Sequence, residues 1–70
     1  MNNFIYFNDR IFNKESVTCA YVQFRAFSED CVPVCEVIGN DKPVNLDAPT
    51  TDIEECKKVL KDFYEALKGE

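Results

Sequence analysis

The 70 residues carry 13 acidic and 8 basic side chains and no histidine, a formal charge of −5, with 46% hydrophobic and 30% charged residues. That length holds one domain over 1–70, because a second would need at least ~50 residues of its own. A core of this size buries only about 60% of the extended chain's surface, so stability calls for a supplement. The negative balance lacks the cationic footprint that a phosphate backbone requires, which excludes direct nucleic-acid binding. No apolar run reaches the ~18–20 residues of a bilayer span, and anionic lipid repels an acidic chain. Phe4-Ile5-Tyr6-Phe7 is cut off by Asn8-Asp9-Arg10, too short for the ~7–15-residue core of a secretory signal. The chain is therefore expected in the cytoplasm, with Cys19, Cys31, Cys35 and Cys56 as free thiols.

Residues 4–7 form an aromatic, β-branched strand, and Asn8-Asp9-Arg10 turns it into a second strand at 11–13. The polar Lys14-Glu15-Ser16 precedes the longest predicted strand, 17–27. In it Ala20, Val22, Phe24 and Ala26 share one parity, expected to face the core, and Cys19, Tyr21, Gln23 and Arg25 the other. Straight, it would run about 36 Å, so a bend or bulge is expected. After Ser28-Glu29-Asp30 comes a strand at 32–38, where Pro33 cannot donate to a ladder and predicts an edge position or a strand start. Gly39-Asn40-Asp41-Lys42 is the clearest turn and leads to a short strand at 43–46.

Pro49 disfavours helix at Ala48, and Thr51-Asp52-Ile53-Glu54 fits a capping box for a helix over 52–68, with Thr51 as its cap. Ile53, Cys56, Val59, Leu60, Phe63 and Leu67 recur by threes and fours on one stripe. Lys57, Lys58 and Lys61 alternate with Glu54, Asp62 and Glu65 on the other, which predicts an ion-paired solvent face. The predicted fold class is α+β: a small antiparallel meander of four to five strands with one C-terminal amphipathic helix packed on one sheet face.

The motifs that carry chemistry are few. In the extended Cys31-Val32-Pro33-Val34-Cys35 the two sulfurs would stand about 13 Å apart, too far to share a metal. Cys56 falls on the apolar helix stripe and predicts a small buried hydrophobe. Histidine, the usual general base, is missing, as are a Gly-rich phosphate loop and a serine elbow. Glu29-Asp30 reads as a solvated turn and Glu54-Glu55 as a helix start, so no enzyme, metal or cofactor is expected.

Nine large rings exceed what one helix can cover. If Val22 and Phe24 pack under the helix, Cys19 and Tyr21 lie on the opposite face, joined by Phe4 and Tyr6 or by Ile5 and Phe7 according to register. The candidate protein-interaction surface is Tyr6, Cys19, Tyr21, Glu29, Asp30 and Glu36, apolar rings rimmed by carboxylates. The function expected is a small acidic protein-binding module, an adaptor or inhibitor. Its size, acidity and lack of catalytic groups are similar to those of phage-encoded inhibitors of bacterial defence, such as anti-CRISPR proteins. That resemblance implies a nucleic-acid-handling target whose basic groove the carboxylates occupy. A structural or regulatory homo-oligomer, such as a homodimer, is the alternative, and a cysteine-based metal or redox protein the third.

Overall fold

The computed structural model describes residues 3–69. Among them the order is β1 (Phe4–Phe7), β2 (Arg10–Asn13), a 3-10 turn (Lys14–Ser16), β3 (Val17–Phe24), β4 (Cys31–Val37), β5 (Val44–Asn45) and α1 (Ile53–Lys68). The fold is α+β, with the C-terminal helix packed on two antiparallel sheets rather than on one meander: β1–β2, and β3–β4–β5 with β4 in the centre. No helix among the described residues is long and apolar enough to cross a membrane.

The first hairpin closes on Asn8 and Asp9, whose φ angles of 49° and 64° are the left-handed pair that a tight two-residue hairpin needs. Asn and Asp tolerate that geometry better than other side chains. The register Ile5↔Phe12 and Phe7↔Arg10 gathers Ile5, Phe7 and Phe12 on one face and leaves Phe4, Tyr6 and Ile11 on the other. The first face enters the core, where the Phe7 and Phe12 rings meet Phe63 edge-on at 5.2 and 5.3 Å.

β3 stops at Phe24, three residues short of the predicted end. Arg25 N–H donates to the Asp30 carbonyl at 3.2 Å, their side chains pair at 3.7 Å, and Phe27 turns the chain at φ 63°. The expected bend is a bulge near Thr18, where the register steps from Val17↔Val37 to Cys19↔Glu36. The even-numbered residues of β3 are less buried than their parity predicts. Val22 is half-buried, Ala20 is exposed, Phe24 is 67% exposed, and Ala26 lies in the exposed loop beyond the strand. The reason is lateral: Phe63 centres the helix over Cys35 of β4, the β1–β2 hairpin fills the same side, and β3 is left at the sheet's margin.

Pro33 sits in the middle of the central strand, not at an edge or a strand start. It is tolerated because only one bond is lost: Leu46 N–H donates to the Pro33 carbonyl at 2.8 Å, and the return bond is the one proline cannot make. Beyond β5 the chain stays beside β4, and Thr50 and Cys31 exchange both backbone bonds at 2.8 and 2.9 Å. All of Cys31 to Cys35 is buried as a result.

The helix is capped by Asp52, not by Thr51. The Asp52 carboxylate accepts from Glu54 N–H at 3.0 Å, while Thr50 Oγ1 accepts from Asp52 N–H at 3.1 Å. A carboxylate satisfies an orphan amide and the positive helix end together, an advantage over a hydroxyl. Cys56 and Phe63 are fully buried, Val59, Leu60 and Leu67 flank them half-buried, and Ile53 reaches the rim. Of the lysines expected to pair on the outer face, Lys57 meets Glu54 at 3.6 Å, while Lys58 and Lys61 make no ion pair among the described residues; Lys68, at the helix end, pairs with Glu65 at 3.9 Å.

Candidate functional site

β3 pairs only with β4, and among the described residues no strand occupies its other edge. In an antiparallel ladder the amides point alternately to either side. The Arg25-to-Asp30 bond and the register Tyr21↔Val34 commit Cys19, Tyr21 and Gln23 to β4. The N–H and C=O groups of Ala20, Val22 and Phe24 therefore point outward, a row of unspent donors and acceptors.

Beside the start of that edge runs a groove of about 460 Å³ between β3 and the flank of α1. Val17, Cys19 and Ala20 form one wall, and Leu60, Tyr64 and Leu67 the other, with Lys61 as the charged group. Positions 60, 64 and 67 fall on one helix flank by their spacing of four and three, and the buried Phe63 closes the floor. Tyr64 is held partly by Lys68, whose Nζ lies 5.2 Å from the ring centre.

The residues singled out from sequence divide into separate places. Cys19, Tyr21 and Glu36 share the β3–β4 ladder, Cys19 opposite Glu36, and the Tyr21 hydroxyl donates to Glu36 Oε2 at 2.9 Å. That bond, which favours the protonated phenol, is the main cause of a raised Tyr21 pKa. Asp30 is engaged with Arg25 at the loop, and Glu29 is exposed beside it. Tyr6 lies on the outer face of the other sheet, its hydroxyl donating to Asp9 Oδ1 at 2.9 Å. Tyr6 stands on a different sheet from Cys19 and Tyr21, so no strand pairing joins the three.

Sequence reasoning did not reach the groove. Its helix wall was readable as the flank of the apolar stripe, but nothing local says which strand is left unpaired. The cysteines also regroup: Cys31 and Cys56, 25 positions apart, bring their sulfurs to 3.2 Å, whereas Cys19 is exposed at the groove. No cluster of three or more Cys, Asp or Glu side chains arranged for a metal occurs among the described residues. No family model, curated protein or solved structure matches the chain.

Proposed function

We propose that this chain is a non-enzymatic protein-binding module that receives an extended segment of a partner along the outer edge of β3. The observation that carries the reading is the adjacency of the free edge to the apolar groove. An added strand would bond to Ala20, Val22 and Phe24, which supplies affinity, and would drop alternate side chains against Leu60, Tyr64 and Leu67, which supplies selectivity. The net charge of −5 favours a basic segment or surface and speeds the encounter. Glu29 is exposed in the loop that follows β3, where it would meet a basic side chain of such a partner. An inhibitor of a cytoplasmic nucleic-acid-handling protein, of the kind phage encode against bacterial defence, is the form of this reading that the acidity suits best.

The test compares the parent with Val22→Pro, which removes an outward amide without touching the β4 ladder. The parent is expected to retain a partner from host lysate at physiological salt, and Val22→Pro to lose it with unchanged circular dichroism. Hydrogen exchange of the Ala20, Val22 and Phe24 amides should slow in the complex. A partner held equally by both proteins, with those amides unprotected, refutes edge pairing. If the occupant is a second copy of the chain, light scattering shows a concentration-dependent dimer that Val22→Pro abolishes.

A further inference from the structure

Cys31 opens the central strand β4 and Cys56 lies in the second turn of α1. Their sulfurs are 3.2 Å apart, and the side chains are 2% and 0% exposed. The Cys31 thiol reaches the Thr50 carbonyl at 3.3 Å, and that same carbonyl accepts from Cys31 N–H. If Cys31 donates to Thr50, its sulfur is free to accept the Cys56 thiol, a short relay from helix to sheet. A disulfide needs ~2.05 Å between sulfurs, so the two are about 1 Å short of bonding. Both are anchored, Cys31 by its paired backbone bonds to Thr50 and Cys56 by the helix, which holds the two sulfurs together.

We propose that Cys31 and Cys56 form a disulfide that staples the first turns of α1 to β4. Cys56 lines a cavity of about 200 Å³ together with Pro33, Pro49, Thr50 and Val59, and its buried sulfur meets an oxidant when the first turn of α1 opens locally. An oxidant of the small-molecule disulfide class supplies the co-reactant. The Cys56 thiolate attacks one sulfur of that oxidant and expels the other as a thiolate, giving a mixed disulfide on Cys56. The Cys31 thiolate then attacks the Cys56 sulfur and expels the second oxidant thiolate, closing the bond. The two protons from Cys31 and Cys56 end on the two expelled thiolates, and the two electrons go to the oxidant, which is reduced to two thiols.

Burial first, then the hydrogen bond and the nearby Asp47 and Asp52, hold Cys56 up at about 11. Such a thiol attacks slowly and is a poor leaving group once bonded. The bond is therefore a structural staple, slow to form and slow to break, not a catalytic dithiol. It closes a loop of 25 positions and, under oxidising conditions, supplies the supplement that so short a chain needs.

The experiment incubates the intact reduced protein with oxidised glutathione at mildly alkaline pH, blocks remaining thiols in denaturant and maps peptides by mass spectrometry. The expected product contains a Cys31–Cys56 cross-linked peptide two hydrogens lighter than its two component peptides together, with glutathione attached only at the exposed Cys19. Thermal unfolding of the cross-linked form should lie roughly 10–20 °C above the reduced form and return on reduction. Cys31→Ala and Cys56→Ala should each abolish the cross-link, and Cys35→Ala should retain it. Recovery of Cys31 and Cys56 unlinked from the parent, or linked to any other cysteine, overturns the proposal whether or not the variants fold.

Discussion

The Asn8 side-chain amide donates to the backbone carbonyl of Leu46 at 2.5 Å, and this carbonyl is the acceptor that the Pro33 nitrogen cannot serve. Pro33 and Leu46 occupy a hydrogen-bonded position of the β4–β5 pairing, in which two bonds are normal and proline leaves one. Asn8 stands at the tip of the other sheet's hairpin, so the missing bond is replaced by a tie between the two sheets.

Replacing Asn8 separates that tie from the turn. Asn8→Gly keeps the left-handed geometry and removes the bond, and should lose about 1 kcal/mol. Asn8→Ala also meets strain at φ 49°, for a total of about 2 kcal/mol. Urea denaturation measures both, and equal losses in the two variants would mean that the turn conformation is not what position 8 demands.

Phe63 is the keystone of the core, fully buried between the Phe7 and Phe12 rings. Phe63→Ala should destabilise by about 3–5 kcal/mol, a large share of what a small domain possesses. Its neighbour Tyr64 is 59% exposed, so Tyr64→Ala should stay within about 1 kcal/mol while weakening partner binding. A stable Phe63→Ala protein would contradict the packing described here.

The helix cap distinguishes two adjacent residues. Asp52→Ala should lose about 1 kcal/mol, since the Glu54 amide loses its acceptor. Thr51→Ala should change stability by less than about 0.5 kcal/mol. Chemical denaturation of the pair decides between them, and the reverse order would restore Thr51 as the cap.

Alkaline stability of the reduced protein follows from Cys56. Its folded pKa of about 11 lies above the ordinary 9.0, so the folded chain keeps a proton that the unfolded chain releases. This contribution is complete below pH 9 and is lost as pH rises from 9 towards 11. Cys35, raised chiefly by burial, acts in the same direction. The slope of unfolding free energy against pH over that interval should therefore be shallower in Cys56→Ala than in the parent. Parallel slopes would show that Cys56 does not hold its proton more tightly when folded.

Local chemistry was enough for the elements and their order. Alternation marked the strands, Asn8-Asp9 and Gly39-Asn40 marked turns, and the spacing of Cys56, Leu60, Phe63 and Leu67 marked the helix and its buried face. These signals act over a few residues, where torsional preference and amphipathic period decide the outcome. Alternation continues through Ala26 and so predicts a longer β3, while the Arg25–Asp30 pairing that closes the loop is a contact between segments. The capping-box pattern fits Thr51, and only the backbone geometry at position 52 selects Asp52 instead.

The sequence by itself determined an acidic α+β chain with a thin core and more apolar surface than one helix covers. Tertiary structure alone decided where that surface lies, because strand pairing is a choice among segments distant in the chain. Splitting the strands into two sheets separated Tyr6 from Tyr21 and set β3 at an open margin beside Leu60 and Leu67. The same packing brought Cys31 to Cys56 across 25 positions, a meeting to which neither residue's neighbours in the sequence point.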